Sequence, residues 1–202
     1  MSVVAEEFLA PNLYYDKHFK MDAVKILPGE FYVTTENRLI VTVLGSCISV
    51  CLRDTKSRIA GMNHFLLPVN RDIEGVGADS ARYGVYAMEV LINHMLKLGV
   101  SRHRLEAKIF GGGNVLKQLT GSNVGEQNAA FVIEYLQTEN IPVTAKDLLG
   151  DYPRKVYFFP MTGEVKVRKL KSLHNTTILD RESEYRVKIN QQPTSGDVDL
   201  FD

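Results

Sequence analysis

The apolar positions along the chain change period several times, and each change marks an element. Phe31-Tyr32-Val33-Thr34 and Leu39 to Leu44 are short β-branched and aromatic runs separated by the polar turn Glu36-Asn37, which predicts two strands. Two further runs, Cys47 to Leu52 and Ile59 to Leu67, flank the charged segment Arg53-Asp54-Thr55-Lys56-Ser57-Arg58 and predict a β-hairpin. Gly84, Met88, Leu91, Met95 and Leu98 instead recur at helical spacing, so a helix is expected from Ser80 to Leu98, closed by Gly99. The loop Val69 to Asp79, between hairpin and helix, would stand at the mouth of any site on the hairpin. A strand over Ala107 to Phe110 leads into Gly111-Gly112-Gly113-Asn114 and a short helical stretch from Val115 to Leu119. Another helix is expected from about Gly125 to Glu139, its apolar stripe made by Val124, Phe131, Tyr135 and Leu136. Val143 to Ala145 reads as a short strand, and Lys155 to Phe159 and Val165 to Leu170 read as a terminal hairpin.

Neither end of the chain shows such a period. Residues 1–25 mix charges with Pro11 and a tyrosine pair and read as an N-terminal arm, while 172–202 are polar and read as a tail without structure of its own. Between them, 26–171 make one domain, since 202 residues with 45% hydrophobic content bury one sizeable core. Strands dominate both ends of this region, which predicts a single α/β domain with mixed or antiparallel sheet packed against two or three helices. Basic and acidic residues balance at 24 each, so no net field points to nucleic acid. No apolar run approaches the roughly 20 residues of a membrane span. The N-terminus, interrupted by Glu6, Glu7 and Pro11, lacks the basic start and apolar block of a signal peptide. A cytoplasmic protein, not membrane-inserted, is expected, with its two cysteines kept as thiols.

Chemistry concentrates in the first hairpin. Symmetry about the Thr55–Lys56 bond sets Leu52 opposite Ile59, Val50 opposite Gly61 and Cys47 opposite His64. Directly opposed residues share a face, so thiol and imidazole would come within hydrogen-bond reach, the arrangement that generates a nucleophilic thiolate. Gly45-Ser46 reads as a tight turn that exposes the thiol and aims backbone N–H groups at an oxyanion. Asn63, Gly111, Gly112 and Asn128 are candidates to support the site from behind: the glycine run by close backbone packing, Asn128 by tying down a neighbouring loop, with direct substrate binding as the alternative for Asn128. Neither metal nor cofactor is expected. Cys47 and Cys51 have poor zinc spacing, and the glycine run lacks a phosphate-binding fingerprint. Cys51 reads as a packing residue, and His18, His94, His103 and His174 as structural or exposed.

Leu44-Gly45-Ser46-Cys47 followed by Gly61-Met62-Asn63-His64-Phe65-Leu66-Leu67-Pro68 resembles the chemoreceptor glutamine deamidase family, CheD. The likeness continues through Arg82-Tyr83-Gly84, Ala87-Met88-Glu89, Lys108 to Gly113, Gly125, Asn128 and Pro153-Arg154-Lys155-Val156. It implies a Cys-His-Thr set with Cys47 as nucleophile, His64 as general base and acid, and Thr42 orienting the histidine. It further implies an α/β sandwich like that of cytotoxic necrotizing factor-type deamidases. The activity implied is hydrolysis of glutamine side chains on methyl-accepting chemotaxis receptor cytoplasmic domains through a Cys thioester, that is, a protein-glutamine glutaminase. A CheC-type phosphatase is a further partner the family can take. The alternative is a non-enzymatic chemotaxis interaction module that binds receptors or such a phosphatase.

Overall fold

The computed structural model describes residues 12–68, 78–115, 124–170 and 176–191. The helical stretch expected to run on to Leu119 and most of the loop Val69 to Asp79 lie outside the described residues. In chain order the strands are β1 (Asn12–Asp16), β2 (Met21–Lys25), β3 (Phe31–Thr34), β4 (Leu39–Leu44), β5 (Ile48–Asp54), β6 (Ala60–Asn63), β7 (Leu105–Gly111), β8 (Val143–Leu148), β9 (Arg154–Phe159) and β10 (Glu164–Lys169). The helices are α1 (Ala78–Lys97), α2 (Val124–Thr138) and α3 (Thr176–Gln191).

Among the described residues the strands form two five-stranded sheets, ordered β1-β2-β4-β9-β10 and β3-β6-β5-β7-β8. Each contains one parallel pair, β2 with β4 and β7 with β8, so both are mixed. β5 is buried on both faces, and its alternation decides the layers. Ile48, Val50 and Leu52 point to the helical side, against Met88, Leu91 and Met95 of α1 and Val132 and Leu136 of α2. Cys47, at the mouth of β5, and Cys51 point the other way, with Met62 of β6, toward Ile40, Leu44, Val156 and Phe158 of the first sheet. The result is an α/β sandwich in which helices cover one sheet and the second sheet covers its other face. None of the described helices is long and apolar enough to cross a membrane.

Within the described residues, parts of the segments read from the sequence as arm and tail are regular structure, and the remainder of both lies outside the described residues. Residues 12–25 form the hairpin β1–β2, which pairs in register from Asn12↔Lys25 to Asp16↔Met21 and adds two strands to the first sheet. The Asp16 carboxylate accepts the His18 and Phe19 N–H groups at 2.9 and 3.1 Å, closing the turn. Phe19 then lies edge-on to Tyr157 and Phe159, covering the outer face. The fully buried Val24 and nearly buried Ile26 each contribute roughly 1.5–3 kcal/mol by leaving water. At the other end, the polar tail contains α3, with Glu182 and Ile189 buried against the body.

Candidate active site

Cys47 stands where the chain leaves β4 in one sheet and enters β5 in the other, and its loop is held from behind by three groups. Gly113 N–H donates to the Gly45 carbonyl at 2.7 Å, Asn128 Nδ2 to the Ser46 carbonyl at 2.9 Å, and Gly112 N–H to the Cys47 carbonyl at 2.8 Å. Gly111 has φ +116°, and a Cβ there would lie 2.1 Å from the Cys47 carbonyl oxygen, so only glycine admits this approach. Asn128 also accepts the Leu67 N–H at 2.9 Å, tying the Cys47 loop to the segment after His64. Asn63 accepts Val50 N–H at 2.9 Å and donates to the Ala87 carbonyl at 3.2 Å, which fixes the β5–β6 hairpin against α1.

With those carbonyls turned into the fold, the N–H groups of the same loop converge on one acceptor, the Glu182 carboxylate of α3. Gly45 N–H reaches Oε1 at 2.8 Å and Cys47 N–H the same oxygen at 3.4 Å. Ser46 N–H and Oγ–H reach Oε2 at 3.1 and 2.8 Å. This is a preformed anion cradle at the thiol, of the kind that stabilises an oxyanion in acyl transfer.

His64 follows β6. Thr42 Oγ1 lies 2.9 Å from the Ile26 carbonyl and 2.7 Å from His64 Nδ1. A hydroxyl has one proton. Given to the Ile26 carbonyl, it leaves Thr42 Oγ1 to accept Nδ1–H, which assigns the tautomer with a free lone pair on Nε2. Nε2 is buried without a hydrogen-bonding partner among the described residues.

The expected pairing of Cys47 directly with His64 is corrected by the register. Cys51 pairs with Met62, Leu52 with Gly61 and Arg53 with Ala60, and the bridge Ile48↔Phe65 continues the series. The turn centre therefore lies one residue later than a symmetric hairpin implies. Asp54 causes this, because its carboxylate takes the Lys56 N–H at 3.1 Å and the Ser57 hydroxyl at 2.7 Å, curling the turn around itself. The pairing shifts by two residues, which preserves parity, so Cys47 and His64 remain on one face as diagonal neighbours.

Cys47 and Thr42 are fully buried and His64 is 2% exposed. Burial holds the Cys47 thiol well above its ordinary range, the Glu182 carboxylate raises it further, and Arg186 opposes them. Burial pushes His64 down to about 3. At neutral pH the site is thus a thiol beside a neutral imidazole, not the ion pair that an exposed site would favour. Among the described residues no three His, Cys, Asp or Glu side chains gather to hold a metal. Glu182 was not among the residues picked from the sequence. A hint was Tyr185 and Ile189, three and seven residues further on, which give a polar stretch an apolar helical edge.

A protein-family model described as CheD chemotactic sensory transduction matches residues 66–169. The probable chemoreceptor glutamine deamidase CheD 1 of Shewanella oneidensis is 65% identical over 95% of this chain and 93% of its own. Its namesake in Dechloromonas aromatica is 57% identical over 97% of both chains. The probable chemoreceptor glutamine deamidase CheD of Thiobacillus denitrificans is 55% identical over the whole of both. The family model begins after Cys47 and His64, whereas this last likeness spans the complete site.

Proposed function

The chain belongs to the CheD family of chemoreceptor glutamine deamidases, and on that ground we propose that it hydrolyses glutamine side chains of methyl-accepting chemotaxis receptors in the cytoplasm through Cys47. The observation that carries the role of Cys47 is the cradle of Gly45, Ser46 and Cys47 N–H groups, which holds a carboxylate against the thiol.

With a glutamine carboxamide in the cradle, His64 Nε2 takes the Cys47 proton and the thiolate adds to the amide carbon. The three N–H groups receive the charge that develops on oxygen. His64 returns the proton to nitrogen as the C–N bond breaks, releasing ammonia and leaving a thioester. Water, deprotonated by the same Nε2, then adds to the thioester, and the thiol leaves protonated with glutamate as product. Thr42 holds Nδ1–H throughout. Its neutral hydroxyl stabilises the imidazolium less than a carboxylate would, which favours modest turnover.

The two-sheet sandwich supports reading the fold as that of cytotoxic necrotizing factor-type deamidases. A CheC-type phosphatase as second partner rests on the family resemblance alone and is tested by co-purification. The activity is tested by mass spectrometry of a receptor cytoplasmic fragment incubated with the wild-type, Cys47→Ala and His64→Ala chains. Glutamine-to-glutamate conversion with the wild type only is the expected result. Capture of the fragment without conversion by any of the three would make the protein a binding module.

A further inference from the structure

The site as it stands cannot admit a substrate. Cys47 is fully buried, and the cleft beside His64, bounded by Ile26, Pro28, Val43, Arg181 and Glu182, has a volume of about 20 Å³, room for about one water molecule. What fills the place is α3. Glu182 saturates the donors an oxyanion would need and sits against the thiol. Three residues on, Tyr185 packs over Gly29, where a Cβ would meet its ring at 2.6 Å, and its hydroxyl touches that of Tyr83. Ile189, one more turn along the same face, enters the core between the sheets. Side chains at these intervals line one stripe of a helix, so α3 lies along a groove and delivers a single carboxylate to Cys47.

A carboxylate on a two-methylene stem is the product of glutamine hydrolysis. Resting on the deamidase reading above, we propose that α3 is a lid in cis that occupies the active site as a product mimic, and that a glutamine presented on an α-helix displaces it from the same groove. A permanent catalytic role for Glu182 fits poorly. It adds negative charge where negative charge must develop and raises the thiol that must ionise.

The seat is also imperfect, as a displaceable occupant requires. Arg186 Nε and Nη2 are buried without hydrogen-bonding partners among the described residues, a cost relieved when the helix leaves. Arg181 sets its positive charge beside Lys25, which also feels Lys155. On the outward side of α3, Glu184 and Lys188 are exposed.

The test compares the full-length wild type with Glu182→Ala, which empties the cradle, and Ile189→Asp, which loosens the anchor without touching the cradle. Circular dichroism and urea unfolding establish that each chain is folded. Iodoacetamide alkylation at Cys47, read by peptide mapping, and deamidation of a receptor cytoplasmic fragment are both measured. If the open form is the minor state, alkylation accelerates about tenfold to a thousandfold in both variants, and kcat/KM rises through a lower KM. Alkylation unchanged in both, with deamidation by the wild type intact, overturns the lid and leaves the activity standing. Faster alkylation with no deamidation by any chain keeps the occlusion but overturns the deamidase reading and the product mimicry with it. A lower kcat in Glu182→Ala, with Cys47 no more accessible, makes Glu182 a working part of the site and also overturns the lid.

Discussion

Thr42 reaches His64 from the opposite sheet, and the 2.7 Å contact between Thr42 Oγ1 and His64 Nδ1 is a polar bond that ties the two layers at the site. Because Thr42 gives its proton to the Ile26 carbonyl, it acts on the imidazole as an acceptor and leaves a free lone pair on Nε2, the atom proposed above as the base. Thr42→Val keeps the shape and removes both bonds. We expect kcat for receptor deamidation to fall about tenfold to a hundredfold, less than the 10²–10⁴ typical of losing the base itself, with Thr42→Ser restoring most of it. Single-turnover kinetics give the answer, and an unchanged Thr42→Val rate would remove Thr42 from the mechanism.

His64 predicts a pH dependence of stability with a definite sign. Its imidazole titrates at about 3 in the folded chain against 6.5 in the unfolded one, because burial disfavours the cation. Between those values the unfolded chain binds more protons. The contribution is therefore complete above pH 6.5 and is lost progressively as the pH falls toward 3, amounting to roughly 3 kcal/mol at pH 4. His64→Gln should lose that much less stability than wild type between pH 7 and pH 4. Urea unfolding at the two pH values measures it, and parallel losses would contradict the assignment.

Glu182→Gln should turn the lid into a substrate. Its carboxamide would occupy the N–H cradle at Cys47, and hydrolysis, consuming water and releasing ammonia, would restore glutamate at that position. Intact-mass measurement over time should show the variant returning to the wild-type mass, and the same change made together with Cys47→Ala should hold its glutamine. A persistent glutamine in the presence of Cys47 would argue against product-like placement of Glu182.

Gly111→Ala should destabilise the fold by about 3 kcal/mol or more, since its Cβ would meet the Cys47 carbonyl oxygen at 2.1 Å as well as adopting φ +116°. Gly99→Ala is the control. Gly99 has φ +94° with no neighbour within 4 Å of the added Cβ, so only the backbone cost of about 1–2 kcal/mol applies. Equal losses in urea would mean that contact with the Cys47 loop contributes nothing.

Much of this molecule was readable from local pattern. β4 spans the run Leu39 to Leu44 as expected, and α1 and α2 match the helices expected around Met88 and Phe131 to within about two residues, the usual uncertainty of helix ends. These elements announce themselves because each buries a face at its own period, and burial is recorded in adjacent residues. Cys47 and His64 could be placed on one face for the same reason, since a strand's side chains alternate with period two and a two-residue slip leaves the face unchanged. Asn128 stood out because an amide on an apolar stripe must find partners, here the Ser46 carbonyl and the Leu67 N–H.

The features left to the folded chain are those whose partners are remote or whose signal is a single polar atom. The hairpin register turned on the Asp54 carboxylate choosing the Lys56 N–H and Ser57 hydroxyl, a choice that hydrophobic spacing does not record. The strands at Asn12–Asp16 and Met21–Lys25 are too short to show a period, and Ala23 and Val24 of the second gain their burial only from a sheet assembled elsewhere. Glu182 lies in a polar helix more than 130 residues from the loop whose N–H groups it binds. A carboxylate in such a stretch is solvated by default. Only three-dimensional convergence of the Gly45, Ser46 and Cys47 donors makes it the occupant of the site.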